Sequence, residues 1–118
     1  MITELLILQN QIRVYHWQTD SYAQHIAFDR TYEALDDQID KFVEVFSGKY
    51  GKVVDKNGFT IKLESINDEA IVPFVDKNIT YLTTILPKSF KETDTDLQNI
   101  RDEMLATLHQ LKYLLTLN

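Results

Sequence analysis

The stretch SYAQHIAFDRTYEALDDQIDKFVEVF, residues 21–46, decides the fold. Phe28, Leu35, Ile39, Phe42 and Phe46 recur within it at spacings of three, four and seven. A helix turns by about 100° per residue, so these side chains fall on one side of it and form a face that must be buried. Thr19-Asp20-Ser21 supplies a turn and an N-cap before the run, and Ser47-Gly48 supplies a stop after it. A long helix over approximately 21–46 is therefore predicted.

Working outward, Leu5, Leu8, Ile12 and Tyr15 keep helical spacing and predict a helix over approximately 2–18. Toward the C-terminus, Leu97, Ile100, Met104, Leu108, Leu111 and Leu115 line one face of a helix over approximately 95–117, with Thr95 and Gln98 in capping-box register. Val75, Ile79, Leu82 and Leu86 predict a third helix over approximately 68–86, starting near Asn67 or at Pro73 and ended by Pro87. All three glycines, Gly48, Gly51 and Gly58, fall in the middle of the chain. There Val53-Val54 and Phe59-Thr60-Ile61 flank Asp55-Lys-Asn-Gly58, which reads as a short β-hairpin or as an irregular Gly-rich loop. Four amphipathic helices in residues 1–118 predict a single all-α domain, a four-helix bundle.

Composition narrows the chemistry. The chain has no Cys, which removes disulfides, thiolate zinc sites and Cys nucleophiles. A formal charge of -6 argues against nucleic-acid binding, which needs clustered Lys and Arg, and favours cations. Lys49, Lys52, Lys56 and Lys62 are diluted by Asp55 and Glu64 and read as a solubilising loop. The apolar run Leu5 to Leu8 is too short for a signal segment or a membrane span, so a cytoplasmic protein with no membrane partner is expected.

Beside the apolar face of residues 21–46 runs a polar stripe, His25, Asp29, Asp40 and Glu44, all within a sector of about 100°. Asp29 and Asp40 are separated by about 16 Å of helix, too far to share one ion within a chain. His25 and Glu44 are centred on the same point as Asp29 and Asp40, between Ala34 and Leu35. An antiparallel copy of the helix about a two-fold there would set His25 against Glu44 of the copy, and Asp29 against Asp40 of the copy. Facing carboxylates, Glu33 and Asp36 included, repel unless a cation neutralises them, so such a dimer asks for metal. Imidazole with hard carboxylates suits Fe(II) first, with Mn(II) or Zn(II) also fitting. His16, at the end of the first helix beside Trp17, is a candidate fifth ligand, with simple packing as its ordinary alternative. His109 has no acid three or four residues before it on its face and is given no role. An intrachain di-iron bundle would need two Glu-x-x-His motifs, and the chain has none.

His16-Trp17 followed by His25-x3-Asp29-x10-Asp40-x3-Glu44 resembles the ferroxidase signature of the Dps family, the mini-ferritins, over roughly residues 10–48. The resemblance implies a ferritin-like bundle and an inter-subunit iron site, with His25 and Asp29 from one subunit, Asp40 and Glu44 from its partner, and His16 matching the family's first-helix histidine. It also implies oxidation of Fe(II) by peroxide or O2, for iron sequestration or oxidative protection, in a homo-oligomer or cage. Compared with that family, the chain is three residues shorter between His16 and His25 and has the glycine-containing stretch in place of a short central helix. Short ferritin-like proteins of phages and large DNA viruses also look similar, which would place the protein in a host cytoplasm. The alternative expectation is a non-catalytic helical-bundle assembly or interaction module, with a structural or lost metal site, which the short length and altered loop favour.

Overall fold

A computed structural model describes residues 1–117. Four α-helices follow in order: α1 Ile2–Gln18, α2 Tyr22–Tyr50, α3 Asp68–Thr80 and α4 Thr95–Leu114. Between α3 and α4 lie a π-helical turn, Tyr81–Ile85, and a 3-10 turn, Leu86–Ser89. No strand occurs among the described residues.

The long helix α2 is the axis of the molecule. Its apolar side, with Phe28, Leu35, Ile39 and Phe42 buried, packs between α1 and α4. Burying each such side chain is worth roughly 1.5–3 kcal/mol. Cross-helix contacts at Gln9–Asp36 and Arg13–Asp29 run in opposite directions along α1 and α2, so the two are antiparallel. Gln38–Thr107 and Lys49–Asp96 make α2 and α4 antiparallel in the same way. Asp76–Lys112, with Leu82–Arg101 just past the end of α3, does the same for α3 and α4. The result is a helical-bundle-like arrangement, its core built from Leu5, Leu8 and Ile12 of α1, the α2 face, and Leu97, Met104, Leu108 and Leu111 of α4.

Ser21 caps α2, accepting the N–H of Gln24 at 3.2 Å. The expected stop at Ser47-Gly48 is overrun. Tyr50 packs on Phe46 with ring centroids 4.9 Å apart, while Lys49 and Tyr50 both reach Asp94, so the helix ends only at Gly51, with φ at 93°. Contacts distant in sequence here outweigh the local preference of a glycine.

The expected β-hairpin is absent. Its turn does form: the Asn57 N–H donates to the Asp55 carboxylate at 2.8 Å, the Gly58 N–H donates to the Asp55 carbonyl at 2.9 Å, and Gly58 has φ of 75°. The flanks do not pair, and Val54 and Phe59 stay exposed. Downstream of the turn the chain is held by α1. Gln11, almost fully buried, donates to the Glu64 carbonyl at 2.8 Å and accepts from the Glu64 N–H at 2.7 Å, while Gln18 accepts from the Ile66 N–H at 2.7 Å. Glutamine side chains thus satisfy the extended backbone at Glu64 and Ile66, beyond the flanks of the turn.

Two further local expectations change. The third helix does not run evenly to Leu86: Pro87 has no N–H to offer the preceding turn, and the chain widens to a π-turn and then tightens to a 3-10 turn around it. Arg101 of α4 donates to the Leu82 carbonyl at 3.1 Å within that irregular segment. The capping box at Thr95 does not form either, because Asp94 precedes the helix as its cap residue and spends its carboxylate on Lys49 and Tyr50.

Candidate metal half-site at the α1–α2 turn

The short turn between α1 and α2 brings His16 and His25 face to face. Their rings stack with centroids 3.9 Å apart and planes 18° apart. The His16 Nδ1 lies 2.8 Å from the His25 carbonyl oxygen, and the His25 Nδ1 lies 2.9 Å from the His16 carbonyl oxygen. A carbonyl can only accept, so each Nδ1 carries the proton and donates it. In the neutral rings each Nε2 therefore holds a lone pair, and no hydrogen bond among the described residues takes up either one. Metal-binding histidines are oriented in this way, with the far nitrogen bonded to a backbone carbonyl.

Asp29, one turn along α2 from His25, joins the pair: its Oδ1 lies 3.9 Å from the His16 Nε2. The same oxygen lies 3.6 Å from an Nη of Arg13, whose guanidinium sits 3.8 Å over the Tyr32 ring and 6.0 Å from Trp17. Trp17 and Tyr22 beside the histidines are 70% and 77% exposed, whereas Tyr15 is buried and its phenol is pushed above the ordinary range by that burial and by Glu64. Of the aromatic residues near the turn, Tyr15 belongs to the core and the other two face outward.

Asp40 and Glu44 lie elsewhere in the same chain, exposed on α2. Asp40 borders a shallow apolar groove of about 240 Å³ formed with Leu5, Leu6, Ile39 and Val43. Between the two groups, Asp36 accepts from the Gln9 amide at 2.6 Å. The chain thus brings His16, His25 and Asp29 together and keeps Asp40 and Glu44 apart from them. Among the described residues, no group of three or more His, Asp or Glu side chains meets at the spacing of a metal centre.

Sequence reasoning passed over Arg13. It stands three residues before His16 and four before Trp17, which places all three on one face of α1. Asp94 was also missed. Tyr50, the Lys91 N–H and Lys49 hold its carboxyl below the ordinary range, while hydrogen bonds to Asp96 and Asp94 raise Lys49, and Asp94 raises the Tyr50 phenol. No helix among the described residues is long and apolar enough to cross a membrane.

A protein of Enterobacteria phage T4, described as an uncharacterized 14.6 kDa protein in the mobD-ri intergenic region, is 32% identical over 116 residues, covering 96% of this chain and 83% of the phage protein. No solved structure matches. These comparisons correct the Dps and ferritin-like resemblance, because neither the phage protein nor the matching family carries that designation. The spacing that suggested it, two pairs of polar residues four apart on one helix face, is compatible with an ordinary charged flank of a long amphipathic helix. Residues 16–115 match the family described as Family of unknown function (DUF5856), and the chain belongs to that family.

Proposed function

We propose that the protein binds a divalent cation between two copies of itself, with His16, His25 and Asp29 from one copy and Asp40 and Glu44 from the other. The observation that supports this reading best is the reciprocal locking of the two imidazoles, each Nδ1 donating to the other residue's carbonyl and leaving both Nε2 lone pairs available. The donor set, imidazole nitrogen and carboxylate oxygen without sulfur, fits Fe(II) first and Mn(II) or Zn(II) next. One chain offers three donors at one end of α2 and two farther along it, which suits a site completed by an antiparallel second copy. Fe(II) bound there would be the substrate: with peroxide or O2 supplied it gives up an electron, and the hard carboxylates favour the Fe(III) product.

A second reading rests on a separate observation, the exposed Trp17 and Tyr22 beside the turn. In it the chain is an assembly or interaction module in which the same face pairs without metal. Anaerobic equilibrium dialysis against Fe(II), combined with sedimentation with and without the metal, separates the two. Metal-linked dimers, with ferric absorbance developing after peroxide is added, support the first reading. Dimers that take up no iron support the second. For the inter-copy arrangement, Asp29→Ala and Glu44→Ala chains are each expected to bind poorly alone, and their mixture to recover one intact site per mixed dimer. Absence of any recovery in the mixture counts against two chains sharing a site.

A further inference from the structure

Asp29 already has a cation at its side. The Arg13 guanidinium lies 3.6 Å from its Oδ1 and is held against the Tyr32 ring at 3.8 Å, with Trp17 6.0 Å away. The Arg13 side chain is only 27% exposed, so it is packed into this corner rather than free in solvent. A guanidinium stays charged at every ordinary pH, and its planar face suits aromatic stacking in a way that an ammonium does not. In a single chain the positive charge of Arg13 therefore cancels the negative charge of Asp29. The half-site then offers a dication imidazole lone pairs but little net charge.

We infer that Arg13 is a resident counter-charge that couples metal uptake to pairing of two copies. The inference rests on the proposed inter-copy site. A lone half-site holds metal weakly, because Arg13 occupies the field that the ion would need. Pairing brings Asp40 and Glu44 of the second copy, two further negative charges, which offset the guanidinium and leave Asp29 for the ion. Metal affinity in the natural protein then rises with protein concentration, as dimers form. Removing the charge at position 13 leaves Asp29 without a counter-ion, which strengthens the lone half-site and narrows the gap between single and paired copies.

The test titrates Co(II) into the natural protein, Arg13→Gln and Arg13→Lys, each at dilute and at concentrated protein. Trp17, the sole tryptophan, is the fluorescent reporter. At dilute protein R13Q is expected to bind about tenfold more tightly than the natural chain, since a unit charge a few ångströms from a dication matters even at a partly solvated site. Its affinity should depend less steeply on protein concentration than that of the natural chain. R13K, which keeps the charge, should follow the natural chain. If the natural protein binds metal and R13Q shows the same affinity and the same concentration dependence, the role given to Arg13 is wrong while the site stands. If none of the three binds Co(II) at either concentration, the site itself is wrong. Circular dichroism confirms folding of each variant, and R13K guards against loss of the Arg13 packing being mistaken for a charge effect.

Discussion

The two ends of α2 each join helices through a carboxylate, and they do so in opposite ways. At the C-terminal end Asp94 accepts from Lys49 at 3.3 Å, from the Tyr50 hydroxyl and from the Lys91 N–H at 2.9 Å, while Lys49 also reaches Asp96 at 3.2 Å. At the N-terminal end Asp29 has one oxygen 3.6 Å from Arg13 and 3.9 Å from His16, and both imidazoles keep an Nε2 that no described residue bonds. The first cluster uses its hydrogen-bonding capacity internally and ties α2 to the loop before α4. The second keeps capacity in reserve at the surface. No fully buried side-chain nitrogen or oxygen lacks a partner among the described residues, so the two unbonded Nε2 atoms are not sealed inside the core. A saturated polar cluster holds a fold together, and an unsaturated one is where recognition can occur.

The largest effect on this contrast is expected from Phe42→Ala. Phe42 is fully buried and packs against Phe46 and Phe90 at the saturated end, with centroids 6.4 Å and 6.0 Å away. Removing it leaves a cavity and costs about 3–5 kcal/mol, measured as a lower midpoint in urea unfolding. A loss below about 1 kcal/mol would mean that the α2 end is held by its polar cluster rather than by the aromatic packing beneath it.

Next comes His25→Ala, which should separate the ends by kind of effect. It removes the stacked ring and one of the two reciprocal hydrogen bonds, a stability cost of about 1 kcal/mol. Affinity for Co(II) should fall by about a hundredfold, since a ligand and the orientation of its neighbour are lost together. Calorimetric titration and urea unfolding of the same sample read both quantities. A stability loss as large as that of F42A, with metal binding unchanged, would make the unsaturated end structural as well.

What the sequence made legible follows the same division. The buried faces of α1, α2 and α4 were readable because Leu5, Leu8 and Ile12, then Phe28, Leu35 and Phe42, then Leu97, Met104 and Leu108 repeat with a local period that burial imposes. What failed depended on partners distant in the chain. Gly48 should have ended α2, yet Tyr50 is kept helical by Phe46 and by Asp94, 44 residues away. Val53–Ile61 read as a hairpin or as an irregular loop, and its flanks do not pair, while just beyond it Gln11 takes the backbone of Glu64 from 53 residues away. Of the candidate site, the face of α2 was legible and the approach of His16 to His25 was left open. Arg13 was invisible because its importance lies in Asp29 and Tyr32 on another helix, and no spacing rule records that.

The smallest expected effect is that of Tyr50→Phe, and it tests the saturated end by its pH dependence. The Tyr50 hydroxyl is the leading cause of the lowered Asp94 pKa, ahead of the Lys91 N–H and Lys49. A carboxyl whose folded pKa lies below its unfolded value of about 3.9 adds stability above that value and loses it as pH falls through the depressed one. Lys49 and Tyr50 are raised, so their share is present below the ordinary range of each and disappears as pH climbs through the raised values. The cluster therefore supports the fold between about pH 4 and pH 10 and weakens on both sides. In Y50F the ring can still stack on Phe46, 4.9 Å away, so packing is kept while one donor is lost. The thermal midpoint at neutral pH should fall only slightly, the acid limb should move to higher pH because Asp94 is less depressed, and the part of the alkaline limb due to Tyr50 should vanish. Co(II) binding at the other end of α2 should not change. An acid limb identical to that of the natural chain would show that Lys49 and the Lys91 N–H suffice to hold Asp94 ionised, and a change in Co(II) affinity would show that the two ends of the helix are coupled.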